Sequence, residues 1–179
     1  MPGLFVAISG LPGSGKTTLA RRLAPALGLP LIDKDDILES LFDSKGSGDA
    51  AWRRALSRES DEIFQHRAIE SGGAVLVSFW HRRGMPEDSG TPTAWLSAIA
   101  GRIVNVHCIC SPEIATRRFL ARRRHPGHLD STNSYKAVLA GLRRLVSLAS
   151  PDLGRRIDIG TTREPELPAL IEEILRPET

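Results

Sequence analysis

The sequence has little cysteine, few aromatic residues and no long apolar run. Two cysteines occur in 179 residues, and aromatic residues make up 5% of the chain. Cys108 and Cys110 alternate on one predicted strand, so their side chains point to the same face and are poorly placed for a mutual disulfide. Two thiols are also too few for a zinc site. We therefore expect free thiols and a cytoplasmic protein, with no membrane partner because no apolar run could cross a bilayer.

Neither sign of charge dominates the chain. Lysine and arginine total 24 and the acidic residues 21, which gives a formal net charge of +3. A weakly basic chain suits a phosphate-rich ligand but does not require nucleic acid. Binding of single strands favours exposed aromatic residues beside basic ones, and only Trp80, next to His81 and Arg82, fits that description. A nucleic-acid partner is therefore an alternative that the composition does not favour.

The central motif follows an apolar run close to the N-terminus. Residues 4–9 are rich in β-forming side chains, and residues 10–18 match the pattern G-x-x-x-x-G-K-[ST] without a gap before a helical pattern begins. The motif predicts nucleotide binding by Gly10, Leu11, Pro12, Gly13, Ser14, Gly15, Lys16, Thr17 and Thr18. Backbone N–H groups and Lys16 would bind the phosphates, and the Thr17 hydroxyl would bind Mg²⁺. The sequence thus predicts ATP and Mg²⁺ as cofactors.

Strand patterns alternate with helical patterns along the whole chain. After the first strand, further strands are predicted at 29–32, 74–79, 103–110 and 155–159, and each is followed by a helical pattern. The run at 74–79 is continuously apolar, which is typical of a strand buried on both faces. This alternation predicts an α/β fold with a parallel sheet of about five strands and helices on both faces. There is no internal repeat or domain boundary, so we expect residues 1–179 to form a single domain.

Acidic residues follow the second predicted strand, in the run Asp33-Lys34-Asp35-Asp36. Carboxylates in the first turn of a helix cap N–H groups and complement the helix dipole. They also stand at the carboxyl edge of a parallel sheet, where open α/β sheets bind ligands. The residues alone leave both interpretations open.

The third strand ends without the expected acidic residue. Many nucleotide hydrolases and kinases place an aspartate of the Mg²⁺ shell there, and Ser78 occupies about that position. His81 and Arg82 follow just beyond the strand, on the side expected to face the ligand. They are either a solvated basic loop or part of the substrate site.

Arginine is concentrated in one segment. Within eight residues this segment holds five arginines, Arg117, Arg118, Arg122, Arg123 and Arg124. The segment is either a solvated basic helix end or a lid that closes arginines over ATP, and the phosphate-loop motif favours the lid. We define the predicted lid as residues 117–130 and expect it to be mobile without nucleotide.

Together these motifs resemble the P-loop kinases of the small-molecule and polynucleotide type, the AAA-like group related to zeta toxins. The run at 33–36 is similar to the basic-Asp-Asp motif in which the first aspartate of the pair is the general base, which implies that role for Asp35. The arginine segment is similar to lids that contact phosphates and stack on adenine. The resemblance implies a three-layer P-loop kinase fold. It further implies catalytic roles for Lys16, Asp35, Arg117 and Arg122, nucleotide contacts from Arg118 and Thr161, acceptor contacts from Asp35, His81 and Arg82, and Mg²⁺ on Thr17.

The function predicted on this basis is ATP-dependent transfer of the γ-phosphate to a hydroxyl of a small molecule. A polynucleotide or nucleoside 5′-hydroxyl kinase is the first alternative, and a regulatory ATPase or switch without an acceptor is the second. Switch proteins usually need an acidic Mg²⁺ residue and a water-positioning group, and the sequence shows neither clearly. The acceptor and the oligomeric state cannot be read from the sequence.

Overall fold

The computed structural model describes residues 3–130 and 133–177. Within them, five parallel strands form one sheet in the order β2-β3-β1-β4-β5, and six α-helices surround it. The strands are β1 Gly3–Gly10, β2 Leu31–Asp33, β3 Ala74–Val77, β4 Gly101–Ile109 and β5 Arg155–Gly160. The helices are α1 Lys16–Leu27, α2 Lys34–Lys45, α3 Ala50–Ser71, α4 Pro112–Ala121, α5 Tyr135–Ser147 and α6 Leu167–Leu175. This confirms the predicted α/β class and the five-stranded parallel sheet.

The central strand β1 divides the core into two layers. Its successive side chains point to opposite faces of the sheet. Val6 and Ile8 pack in a cluster with residues of α1 and α6. Phe5 and Ala7 pack in a second cluster with Phe64 of α3. Both faces of the strand are therefore buried, as the continuous apolar run at its start requires.

The second strand differs most from its predicted range. The run at 29–32 predicts a strand from residue 29, but the strand spans Leu31–Asp33. Gly28 adopts φ 66° at the end of α1, and the N–H of Leu29 donates to the carbonyl of Ala24 at 3.0 Å. Leu29 therefore completes the helix end, and the strand extends instead to Asp33, which also caps α2.

The two cysteines are free, as predicted. Cys108 is buried on β4 and Cys110 is half-buried just after it. Burial raises the pKa of the Cys108 thiol to about 12, so the thiol stays neutral and unreactive. None of the helices in the described ranges is long and apolar enough to span a membrane.

Parallel pairing brings the chemistry-bearing segments to one edge of the sheet. The carboxyl ends of parallel strands meet at the same edge, and ligands of such sheets bind there. The phosphate loop follows β1, Asp33 ends β2, Ser78 follows β3, α4 follows β4 and Thr161 follows β5. The fold therefore brings these five segments to the same edge of the sheet.

Candidate active site

The phosphate loop turns sharply between β1 and α1. Gly13 and Gly15 have φ 80° and 91°, in the left-handed region that favours glycine. A Cβ at Gly13 would lie 2.2 Å from the carbonyl oxygen of Ala115, so the loop packs directly on α4. Gly15 offers α1 no side-chain cap, which leaves the first N–H groups of that helix for an anion.

Lys16 folds back over this loop. Its Nζ donates to the carbonyl oxygens of Leu11 at 2.9 Å and Gly10 at 3.3 Å. Burial lowers the pKa of Lys16 to about 8, and the negative charge of nearby Asp35 opposes the shift. A bound anion would replace the lost hydration and restore the charge, so the side chain suits a phosphate.

A cleft of about 740 Å³ opens above the loop. From the loop it is lined by Pro12, Gly13, Gly15, Lys16, Thr17 and Thr18. The other three residues of the motif, Gly10, Leu11 and Ser14, lie beneath this surface. The Leu11 side chain packs against Ala115 and Leu142, and Gly10 contributes its carbonyl to Lys16. Ser14 Oγ is buried and has no hydrogen-bond partner within the described residues.

Asp33 lies beside the motif threonine. The Thr17 hydroxyl donates to Asp33 Oδ2 at 2.9 Å, and the N–H of Asp35 donates to Asp33 Oδ1 at 3.0 Å. Burial, and then the charge of Asp35, raises the pKa of Asp33 to about 6. The pair of Thr17 and Asp33 supplies the oxygen ligands that Mg²⁺ prefers, at the edge of a phosphate site.

Asp35 faces the same cleft and meets the lid. Arg124 Nη2 lies 2.5 Å from Asp35 Oδ2, while Arg124 Nη1 donates to Asp130 at 2.7 Å. Burial favours the neutral acid, but the positive charges of Arg124 and Arg122 outweigh it and lower the pKa of Asp35. Asp35 is therefore an ionised carboxylate at neutral pH.

Lys34, between the two aspartates, points away from the cleft. Its Nζ lies 2.6 Å from Asp61 of α3. Asp61 also accepts from Thr91 at 2.7 Å, and the Thr91 and Ser78 hydroxyls are 2.5 Å apart. Ser78 is thus bound within a buried network. The acidic residue beside the motif threonine comes from Asp33, at the end of β2, instead of from the end of β3.

The predicted lid arginines take different positions. Arg118 donates to the carbonyls of Thr161 and Thr162, both at 2.8 Å, and lines the cleft. Arg122 also lines it, with its guanidinium 4.7 Å from the centre of the Phe119 ring. Arg117 is exposed and does not line the cleft, because adjacent helix positions are turned by about 100°. Thr161 is buried below the cleft and contributes a carbonyl to Arg118.

His81 and Arg82 are not brought into the cleft. Arg82 is buried, and its Nη1 donates to the carbonyl of Leu145 in α5 at 3.0 Å. His81 Nδ1 lies 2.8 Å from the carbonyl of Ser89. The loop after β3 turns back on itself, so that Trp80 pairs with Thr91. The contacts of His81 and Arg82 hold this loop in place, and their side chains therefore do not reach the cleft. Trp80 is itself buried, so it offers no exposed ring for stacking on a base.

The end of the lid is docked on α2. We call residues 124–130 the clasp. His128 Nε2 lies 2.8 Å from Glu39 Oε1, and the rings of His125 and Phe42 stack with centroids 5.2 Å apart. Gly127 fits closely, since a Cβ there would lie 2.6 Å from the Phe42 ring. The clasp therefore covers the side of the cleft at which Asp35 lies.

Arg53 and Glu39 are cleft residues that were not predicted from the sequence. Arg53 of α3 lines the cleft, and its Nε is buried without a partner among the described residues. Glu39 of α2 also lines it and contacts His128 of the clasp. The alternation of Asp33 and Asp35 at a strand end could have indicated the Thr17 contact. No local pattern marks Arg53 or Glu39, because their positions depend on how α2, α3 and the lid pack.

A phosphate loop, two carboxylates and an arginine-bearing segment around one sheet edge define a P-loop protein of the kinase type. A family model described as an AAA domain matches residues 5–148. The chain belongs to this AAA-domain family, and the match confirms the resemblance to P-loop small-molecule kinases. Use of ATP follows from that membership.

Relatives and solved structures agree on this class. A shikimate kinase of Paracidovorax citrulli is 33% identical over 98 residues, which are 48% of this chain and 52% of that protein. The chain spans about half the length of the first curated relatives it matches. A candidate kinase of Chloroflexus aurantiacus superposes with a TM-score of 0.77 at 25% identity, covering 97% of both chains. A gluconokinase of Sinorhizobium meliloti shares the fold, with a TM-score of 0.55 at 20% identity over 97% of this chain and 90% of that one.

Proposed function

We propose that the protein is a kinase that transfers the γ-phosphoryl group of ATP to a hydroxyl of a small molecule. The observation that carries this proposal is the convergence of Lys16, Asp33 and Asp35 on one cleft. A nucleotide switch needs a phosphate site and a metal site, but it does not need a further carboxylate. Asp35 is such a further carboxylate, and in a kinase it would orient the acceptor hydroxyl and accept its proton.

Binding of the phosphates falls to the loop and the arginines. The N–H groups at the start of α1 and the Lys16 ammonium group would bind the phosphates. Thr17 and Asp33 would hold Mg²⁺, which keeps several waters and needs only one or two protein ligands beside phosphate oxygens. When bound there, Mg²⁺ would neutralise charge on the phosphates. Arg122 and Arg123, which line the cleft, add positive charge where the transferred group passes.

Asp35 is assigned to the acceptor. As an ionised carboxylate it accepts a hydrogen bond from the acceptor hydroxyl and orients the oxygen toward the γ-phosphorus. The proton passes to Asp35 as the new O–P bond forms and the bond to the ADP oxygen breaks. Phosphoryl transfer has a loose transition state, so the orientation of the hydroxyl contributes more to the rate than the basicity of the carboxylate does. A carboxylate of lowered pKa, such as Asp35, fits this role. Arg53 places a positive group on the same side of the cleft.

The relatives support a small-molecule acceptor. Those named above as a shikimate kinase and a gluconokinase are named for small-molecule substrates. A polynucleotide acceptor has less support, since Trp80 is buried and offers no stacking surface. We also propose a cytoplasmic location, in keeping with the free thiols of Cys108 and Cys110.

An ATP-consumption screen tests the proposal. The protein is incubated with ATP, Mg²⁺ and each of a set of sugars, sugar acids, nucleosides and 5′-hydroxyl oligonucleotides, and product is identified by ³¹P NMR. We expect acceptor-dependent ADP formation with a small molecule and its loss in folded Lys16→Ala. Transfer to oligonucleotides alone, or wild-type turnover in Lys16→Ala, contradicts the proposal.

A further inference from the structure

A second cavity lies beside the phosphate cleft. It has a volume of about 420 Å³, within the range of small-molecule pockets. Most of its lining side chains are apolar, and they come from the loop after β3 and from α5. The principal ones are Met85, Pro86, Ala137, Val138, Leu145 and Leu148. We call this space the apolar cavity.

The apolar cavity adjoins the phosphate cleft directly. Pro12, Phe79 and Phe119 line both spaces. Pro12 belongs to the phosphate loop, and Phe79 follows the end of β3. A molecule seated in the apolar cavity can therefore reach past these three residues toward the position of the γ-phosphate.

One wall of the apolar cavity follows β3, on the side of the sheet at which Asp35 lies, and the other walls, from α4 and α5, follow β4. The strand order places β3 on one side of β1 and β5 on the other. Phe79 follows β3, whereas Thr161, which the resemblance assigns to the nucleotide, follows β5 and binds Arg118. The lining includes no residue that follows β5. Asp35, which follows β2, stands on the β3 side as well.

We propose that the apolar cavity binds the apolar body of the acceptor, so that the substrate is an alcohol with a hydrophobic moiety. This inference rests on the proposed kinase function and narrows its substrate class. The hydroxyl end lies at Asp35, in the polar cleft, and the hydrophobic end packs against Leu145 and Val138. Burial of the hydrophobic moiety against these apolar side chains would supply binding free energy that a polyol could not gain there.

Gly141 of α5 provides a direct test. It lines the apolar cavity, and a Cβ there would meet no heavy atom within 4 Å. A Cβ therefore has open space at this position, and a larger side chain would extend from it into the apolar cavity. Replacement of glycine also favours the helix, so Gly141→Leu is expected to fold. Ala140→Leu is the matched control, because Ala140 is exposed on the same helix outside the cavity.

The experiment measures binding and transfer with defined probes. Binding of 2-naphthylmethanol and 3-phenylpropan-1-ol is compared with that of shikimate and D-gluconate by calorimetry in the presence of ADP and Mg²⁺. Phosphotransfer from ATP to the same four compounds is measured in parallel. We expect the apolar alcohols to bind, Gly141→Leu to weaken that binding by tenfold or more, and Ala140→Leu to leave it unchanged.

Several results overturn the inference. These are failure of both apolar alcohols to bind, binding that Gly141→Leu does not change, or transfer to the two sugar-like acids that is insensitive to this substitution. In the last case the kinase function stands and only the substrate class is wrong. A dimer seen by sedimentation velocity and dissociated by Gly141→Leu also overturns it, since the apolar cavity is then an interface between copies. Gly141-sensitive binding without transfer to any hydroxyl compound supports the cavity but counts against the kinase function.

Discussion

Arg124 and Asp35 are 89 residues apart in sequence, yet Arg124 Nη2 lies 2.5 Å from Asp35 Oδ2. The arginine belongs to the clasp, and the carboxylate belongs to the first turn of α2. The same guanidinium holds Asp130, so the contact ties the lid to the acceptor side of the cleft. One ion pair thereby keeps Asp35 ionised and its oxygen in place.

Removal of this charge should change the titration of Asp35. Arg124→Gln removes the nearest positive group, so the pKa of Asp35 should rise because burial then acts with less opposition. Carboxyl ¹³C NMR titration measures the shift. Arg117→Gln, at an exposed position outside the cleft, is the control and should leave the titration unchanged. An identical pKa in wild type and Arg124→Gln would show that the ion pair does not form in solution.

Asp33→Asn should stabilise the fold while impairing function. The pKa of Asp33 is raised to about 6, so folded protein holds this proton more tightly than unfolded protein does. The stabilisation from that proton is present below the unfolded pKa and is lost as the pH rises through about 6. At pH 8 the variant should gain about 1–3 kcal/mol in the free energy of unfolding, and the gain should vanish near pH 4. Asparagine still caps α2.

Urea unfolding at pH 4, 6 and 8 measures this effect. Loss of the carboxylate beside Thr17 should also weaken Mg²⁺-dependent ATP turnover. A variant that is less stable than wild type at pH 8 would show that the Thr17 contact outweighs the burial of the charge.

Nucleotide binding should weaken in alkaline solution. The pKa of Lys16 is about 8 without ligand, and phosphates should raise it. Binding therefore takes up a proton above pH 8, and affinity should fall there by up to about tenfold per pH unit. Calorimetry with ATP at pH 7, 8 and 9 tests this. Lys16→Arg, which stays charged, should bind with little dependence on pH. Equal slopes for both proteins would contradict the burial of Lys16.

The clasp should depend on the absence of a side chain at residue 127. A Cβ at Gly127 would stand 2.6 Å from the Phe42 ring, so Gly127→Ala should displace the clasp and cost about 1–3 kcal/mol. Limited trypsin digestion should then cut faster at Arg122, Arg123 and Arg124. Gly141→Ala, where the space is open, is the matched control and should stabilise α5 by roughly 0.5–1 kcal/mol. Equal cutting in both variants would show that the clasp is not docked.

Local sequence patterns were enough to predict most of the fold and the phosphate loop, but they were not enough to predict the rest of the cleft. The phosphate loop is contiguous, so its match to residues 10–18 also placed Lys16 and Thr17. The role predicted for Asp35 depended on the resemblance to known kinases, since acidic residues in the first turn of a helix also have an ordinary capping role. His81 and Arg82 were expected in the cleft because they follow a strand end, but the direction in which a loop turns depends on packing against α5. The clasp depends on contacts 89 residues apart, such as Glu39 with His128, for which a single sequence has no signal. The lid's movement stays a prediction.

The most direct test compares two neighbouring carboxylates on an acceptor found in the screen. Both carboxylates line the cleft, but Asp35 meets Arg124 of the clasp, whereas Asp36 is more exposed and lies 3.8 Å from Arg21. Turnover and ATP affinity are measured for Asp35→Asn and Asp36→Asn. We predict that Asp35→Asn lowers kcat by roughly 10²–10⁴ with ATP affinity almost unchanged, and that Asp36→Asn stays near wild type. The reverse pattern, or near-normal kcat in Asp35→Asn, would contradict the assignment of Asp35 to the acceptor hydroxyl.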